Sequence, residues 1–286
     1  MKDGFIKVAA GTPDVQVADC EFNAAEIIKM VREMEAEGAK VMVFPELCIT
    51  AYTCGDLFWQ ENLLEEAKVQ LVRIAEETAD VDAIIFVGLP LEYKGKLYNV
   101  AAGLNHGEIL GFVPKTYLPN YNEFYEARYF TSGEDVDGTV TIRRSEYGLH
   151  HDEEMTDEDV EFGLEAELEA LEEEDSFEEL EEIDEEPDYI DEDETEEFDE
   201  VGVPISSNIL FICQEMPKLK IAAEICEDLW VPNPPSVGHA YHGANLIVNL
   251  SASDEVVGKD SYRKSLVSAQ SARLLCGYIY ASAGEG

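Results

Sequence analysis

Two rhythms of apolar residues alternate along this chain. Short runs at positions 5–10, 41–44, 83–88, 97–104, 109–113, 208–212, 220–225, 245–251 and 278–283 are dense in Val, Ile, Leu, Phe and Ala, and polar or glycine-bearing stretches separate them, so they read as strands. Between them the spacing changes to that of a helix. Ile27, Ile28, Val31 and Met34 fall on one face of residues 23–38, which Gly38 closes, and Leu63, Leu64, Ala67, Leu71 and Ile74 do the same over 60–78. A last helix is predicted over 261–276. The tetrapeptide Asn105-His106-Gly107-Glu108 separates two strand-like runs and predicts a hairpin. Strands alternating with helices in this way point to a layered α/β fold.

Three of these runs deliver a chemically capable residue at their exits. Residues 41–44 lead into Glu46, residues 109–113 into Lys115, and residues 220–225 into Cys226, which Glu227 and Asp228 follow. A thiol attacks as the thiolate and needs a base or a positive charge nearby to reach that state. Taken alone, a cysteine at a strand end is an ordinary small core residue, and a Glu or Lys beside a proline is an ordinary loop residue. Their common seat at strand ends, where a rigid scaffold holds catalytic groups, is what sets them apart. The aromatic stretch that follows Lys115, residues 117–130, would then wall a substrate pocket.

Composition changes this picture in one place. The 286 residues are 45% hydrophobic, enough for a sizeable core, yet the formal charge is −44. That charge is concentrated: no Lys or Arg occurs from Ser145 to Pro217, and acids fill more than half of positions 152–200. Residues 152–200 therefore read as an acidic low-complexity insertion in a surface loop, between 1–151 and 201–286, which form one globular unit. Leu164, Leu168, Leu171, Leu180 and Ile183 recur at helical intervals inside it, against like-charge repulsion at neutral pH. A negative field of this size excludes nucleic acid and anionic membrane surfaces as partners. The start lacks a signal-peptide core and no run has the length of a membrane helix, so a soluble cytoplasmic protein is expected. Six cysteines without a CxxC pair or His-rich spacing predict reduced thiols and no metal site. The chain stops soon after its last strand, which reads as a truncation, and a homo-oligomer is expected.

The residues also carry a likeness. Glu46 in FPELCITAYTCGDLF, Lys115 in PKTYLPNYNEFYEARYF and Cys226 in EICEDLWVP resemble the Glu-Lys-Cys triad of the nitrilase, or carbon-nitrogen hydrolase, superfamily. The wording around them, with NLSASDEVVGK and YIYASAGEG, looks most like the N-terminal glutaminase domain of glutamine-dependent NAD(+) synthetases. That resemblance implies an α-β-β-α sandwich, here with a long acidic insertion, and hydrolysis of L-glutamine through a thioester on Cys226. Glu46 is the expected general base and Lys115 the expected oxyanion stabiliser. By motif position, Glu123 resembles the second glutamate that orients the lysine, and Tyr121 and Phe124 resemble pocket residues. Ser253 and Lys259 occupy the places that hold the amino-acid end of glutamine, and Glu227 could meet its α-ammonium. No cofactor is implied for this part. ATP, Mg and deamido-NAD belong to a synthetase domain whose SGGxDS-type loop does not occur in these residues. The rival readings are a free-standing amidase acting on another small amide or carbamoyl substrate, and a non-catalytic acidic interaction module.

Overall fold

The structure, a computed structural model, describes residues 5–143 and 200–284. The chain opens with β1 (Lys7–Ala10) and α1 (Cys20–Ala36), then β2 (Ala39–Val43) and, after a 3-10 segment at Tyr52–Trp59, α2 (Glu61–Glu77). Helix α1 begins three residues before the apolar pattern because the Asp19 carboxylate accepts a hydrogen bond from Phe22 N at 3.0 Å and caps it. Three long strands follow, β3 (Ile84–Tyr93), β4 (Lys96–Asn105) and β5 (Glu108–Pro114), with β4 and β5 joined across the expected hairpin turn.

Two further strands, β6 (Asp137–Arg143) and β7 (Glu200–Ser206), pair antiparallel and were not anticipated from the sequence. Val201, Val203 and Ile205 do alternate, but they lie at the margin of the acidic block, whose composition masks them. The expected strand over 208–212 shrinks to β8 (Phe211–Ile212). Then come β9 (Lys220–Ile225), the short α3 (Pro235–Tyr241), β10 (Leu246–Ser251), α4 (Lys259–Leu274) and β11 (Gly277–Ser282). Helix α3 also went unforeseen, since seven residues are too few for a helical period to stand out. The acidic block at 152–200, with the helical intervals noted in it, lies outside the described residues except for its last residue, which opens β7.

The strands form two sheets. One has the order β1-β2-β3-β4-β5-β7-β6, the other β11-β10-β9-β8. Ile27 and Val31 of α1, with Leu71 and Ile74 of α2, pack on the outer face of the larger sheet against Met42, Ile85 and Val87. Its inner face gives Val41, Val43, Phe86, Ala101 and Val113 to a second core, where they meet Ile221, Ala223, Ile225, Val248, Leu250 and Ile279 of the smaller sheet. Phe211 stands edge-on to Phe86 in this layer, with ring centroids 5.1 Å apart. Gly103 makes room for it: a Cβ there would lie 2.7 Å from the Phe211 ring. The far face of the smaller sheet is covered by α3 and α4, through Ala240 and Leu274. The result is the four-layer α-β-β-α sandwich that the resemblance implied.

Candidate active site

Three loops at strand exits meet at one end of the two sheets. The first leaves β2 through Phe44 and Pro45 and carries Glu46, with Leu47 at φ 52°. It lies directly on β3, where residue 88 has no side chain; a Cβ on Gly88 would sit 2.4 Å from Leu47 N and 2.7 Å from Pro45 O. The second loop leaves β5 and carries Lys115. The third leaves β9 at Cys226, whose φ of 43° is a left-handed conformation that costs a non-glycine residue about 1–3 kcal/mol. That sharp elbow turns the thiol out of the strand.

Glu46, Lys115 and Cys226 are all buried. The Lys115 ammonium lies 2.5 Å from Glu46 Oε1 and 2.6 Å from Glu126 Oε1. Glu46 also accepts from Asn99 Nδ2 at 2.6 Å and, on its other oxygen, from Ala252 N at 3.0 Å. The backbone after β10 is thereby tied to the carboxylate. Glu126 accepts in addition from the Tyr52 hydroxyl at 2.7 Å. Cys226 feels the charges of Glu46, Lys115 and Glu126 together.

These neighbours set the protonation states. Burial by itself would depress the Lys115 pKa, but Glu46 and Glu126 outweigh it and hold the ammonium well above its usual range. Burial raises Glu126 from 4.5 to about 7, and Lys115 pulls in the opposite direction. Burial, with Glu46 next in importance, pushes the Cys226 thiol upward. The resting site thus holds a neutral thiol beside a lysinium and a hydrogen-bonded carboxylate. Thiolate formation in such surroundings must accompany attack, with a base taking the proton as the sulfur bonds to carbon.

The second glutamate differs from the sequence expectation. Glu123 is exposed and turns toward Asp254, so it cannot orient Lys115; Glu126, three residues on in the first turn of a short 3-10 segment, does so. The motif holds two glutamates in an aromatic run, and a three-residue offset inside irregular backbone leaves no periodicity to choose between them.

The remaining expected residues gather around the mouth. The Tyr121 hydroxyl reaches both Glu227 oxygens, at 3.0 and 2.9 Å. Phe124 packs edge-on against Tyr52 and Tyr121, with centroids at 6.4 and 5.8 Å. The Lys259 ammonium lies over Phe124 and Trp230, 5.9 and 5.4 Å from the ring centres, and is paired with Asp254. Ser253 is buried beside Tyr280. Sequence reasoning missed Asp228, the second residue after Cys226. Its buried carboxylate accepts from Ile225 N at 2.9 Å, Tyr117 N at 2.8 Å and Thr116 N at 3.2 Å, which bolts the cysteine elbow to the lysine loop. Its presence in the Cys-Glu-Asp triplet was visible, but not its contact with residues more than 100 positions away.

The arrangement offers a nucleophile, a base and a cation around one point, with charges of both signs at the rim. That suits attack on a small amide. Among the described residues no group of His, Cys, Asp and Glu could hold a metal ion, and no helix is long and apolar enough to cross a membrane.

The chain is similar to known proteins in sequence and in fold. A glutamine-dependent NAD(+) synthetase of Mycobacterium tuberculosis is 32% identical over 283 residues, which is 99% of this chain and 33% of that protein. One from Aquifex aeolicus is 28% identical over 264 residues. The chain spans about a third of the length of these curated relatives. The crystal structure of a glutamine-dependent NAD(+) synthetase from Cytophaga hutchinsonii superposes with a TM-score of 0.69 at 26% identity, covering 98% of this chain and 36% of that one. An amidase from Nesterenkonia sp. shares the fold, with a TM-score of 0.62 at 15% identity over 99% of this chain and 78% of its own. The model of the carbon-nitrogen hydrolase family matches residues 7–163, more than half of the sequence. On that match, and on the four-layer architecture, this chain belongs to the carbon-nitrogen hydrolase family.

Proposed function

We propose that this chain is the glutamine-hydrolysing part of a glutamine-dependent NAD(+) synthetase, releasing ammonia from the side-chain amide of L-glutamine. The observation that carries the reading is the buried Glu46–Lys115–Glu126 cluster facing Cys226. Names and coverage of the relatives favour glutamine over other amides.

In this reading Cys226 Sγ attacks the amide carbon while Glu46 takes the thiol proton. The carbonyl oxygen becomes an oxyanion, which the Lys115 ammonium and a backbone N–H at the elbow stabilise. Glu46 passes its proton to the departing nitrogen, ammonia leaves, and a glutamyl thioester remains on Cys226. Water then loses a proton to Glu46 and attacks the thioester; the thiol recovers that proton as glutamate departs. At the rim, the substrate α-carboxylate takes the place of Asp254 on Lys259, and Glu227, steadied by Tyr121, receives the α-ammonium. Ser253, Phe124 and Tyr121 line the passage. The ammonia serves an ATP-dependent amidation of deamido-NAD carried by sequence outside these 286 residues, where ATP and Mg would bind.

The test compares ammonia release from L-glutamine with release from aliphatic amides that lack the α-amino and carboxylate groups, and from N-carbamoyl compounds. Glutamine is expected to lead by at least about 100-fold in kcat/KM, since two desolvated charge contacts distinguish it. Cys226→Ala should abolish turnover. Equal rates across the panel would remove glutamine as the substrate and favour a general amidase.

A further inference from the structure

A polar side chain stands in the layer between the sheets where an apolar one would pack. Asn99 of β4 is 1% exposed. Side chains alternate along a strand, so it shares the inner face with Ala101, which belongs to the core between the sheets. Its amide nitrogen donates to Glu46 Oε1 at 2.6 Å, while its carbonyl oxygen is buried and, among the described residues, without a partner. Burying an amide with part of its hydrogen-bonding capacity unused is unfavourable. The contact with Glu46 is what distinguishes this residue from a core side chain. Its backbone holds the neighbouring catalytic loop as well, since Lys115 N donates to Asn99 O at 2.8 Å.

The two oxygens of Glu46 are not equivalent. An ionised carboxylate offers about two acceptor sites on each oxygen. Oε1 accepts from Lys115 Nζ at 2.5 Å and from Asn99 Nδ2 at 2.6 Å, so both of its sites are taken. Oε2 accepts from Ala252 N at 3.0 Å, its single donor among the described residues, and keeps one site open. The oxygens also face different layers. Both donors to Oε1 come from the larger sheet, Asn99 within β4 and Lys115 at the exit of β5. The donor to Oε2 comes from the smaller sheet: Ala252 follows β10, whose Leu250 pairs with Ile225, the residue before Cys226. Oε2 is therefore the oxygen on the side of the thiol.

We propose that Asn99 is a positioning residue that gives the two oxygens of Glu46 separate tasks: Oε1, filled by Asn99 and Lys115, stays an acceptor throughout, and Oε2 alone carries the proton. The assignment rests on the reading of Glu46 as the base. In the first half-reaction the thiol proton moves to Oε2 as Sγ bonds to the amide carbon, and it passes from Oε2 to the nitrogen as the C–N bond breaks. In the second, Oε2 takes a proton from water as the water oxygen bonds to the thioester carbon, and returns it to sulfur as the C–S bond breaks. One atom meets every proton donor and acceptor of the cycle, so the carboxyl group does not turn between steps.

The test separates taking a proton from delivering one. Acylation by L-glutamine needs both, because the leaving nitrogen must be protonated. Acylation by the γ-p-nitrophenyl ester of glutamate needs only the first, since p-nitrophenolate leaves as the anion. Asn99→Leu opens a site on Oε1 and frees the carboxyl group to turn, so the proton taken from the thiol is no longer aimed at the leaving nitrogen. For glutamine kcat/KM is expected to fall about 10- to 100-fold, part of what a positioned general acid contributes, and for the ester by less than about 3-fold. Asn99→Ala gives the same contrast without added bulk if leucine overfills the layer. A partly unfolded variant loses both substrates in proportion, so the ratio of the two losses reads the folded fraction alone. Equal losses would overturn the assignment and leave Asn99 a residue that merely shapes the loop. Should another amide of the panel replace glutamine, that amide and its own p-nitrophenyl ester make the same comparison, so failure of the substrate and failure of the assignment are separate results.

Discussion

The proton on Glu126 sets the net charge around Lys115. One Glu126 oxygen accepts from Lys115 and Tyr52, and the other is buried with no partner, a seat for a proton. With Glu126 neutral, Lys115 and Glu46 balance; with it ionised, the cluster carries one excess negative charge against the forming oxyanion. Burial raises the folded-state value from 4.5 to about 7, so between those values the folded chain binds more protons here than the unfolded chain does. This group's contribution to stability is therefore fully present below about pH 4 and is lost as pH rises to about 7, a change of up to ~3 kcal/mol. Glu126→Gln keeps the hydrogen-bond geometry and cannot ionise. Its thermal unfolding curves from pH 5 to pH 7 are expected to lack the downward slope attributable to this residue. A slope equal to that of the parent chain would assign the proton elsewhere. The identity of this residue was only half legible in the sequence, which presented Glu123 and Glu126 in one aromatic run. The choice between them came from where a single 3-10 turn directs its side chains.

At the scale of elements, Asp228 matters more than its position suggests. It satisfies the backbone N–H before Cys226 and the two after Lys115, so two loops that belong to different sheets are locked in one geometry. Asp228→Ala would leave three backbone donors without their partner at once, the Ile225 N–H fully buried and those of Thr116 and Tyr117 partly so. We expect a loss of about 2–5 kcal/mol in urea unfolding, since each unsatisfied buried donor costs about 1–3 kcal/mol and the three are not additive. We also expect kcat for amide hydrolysis to fall at least about 10-fold with little change in KM, because the rim residues Tyr121, Glu227 and Lys259 hold other partners. A proportionate rise in KM at constant kcat would instead place Asp228 in substrate binding. The elements themselves were readable wherever one period persisted for long enough: α1, α2, the hairpin of β4 and β5, and the apolar strands β9 and β10. The elements missed were those too short, such as α3, or those bordering the acidic block, such as β6 and β7.

At the scale of the molecule, the site depends on how the two sheets meet. Glu46 and Lys115 exit the larger sheet, Cys226 the smaller, and the core between them sets their separation. Phe211 helps to hold that distance, filling the space above Gly103 and standing against Phe86. Phe211→Ala is expected to cost about 3–5 kcal/mol of stability, the usual price of a buried phenylalanine. Activity at low temperature should fall as well, since loosened layers misplace the thiol relative to Glu46. Normal kcat in a destabilised but folded Phe211→Ala chain would show that the three loops hold their own geometry.

The amino-acid order alone determined the alternation of strands and helices, the three reactive residues at strand exits, and the likeness that implied the sandwich. These are local properties, readable from hydrophobic period and from short motifs. Tertiary structure decided which glutamate holds Lys115, that Asp228 joins the cysteine elbow to the lysine loop, and that Asp254 occupies Lys259. The Asp228 contacts with the lysine loop join positions more than 100 apart, and the others depend on how irregular backbone turns back on itself, which leaves no period in the sequence. Burial then fixes their charge states, and no stretch of sequence contains the low-dielectric surroundings that the assembled layers create.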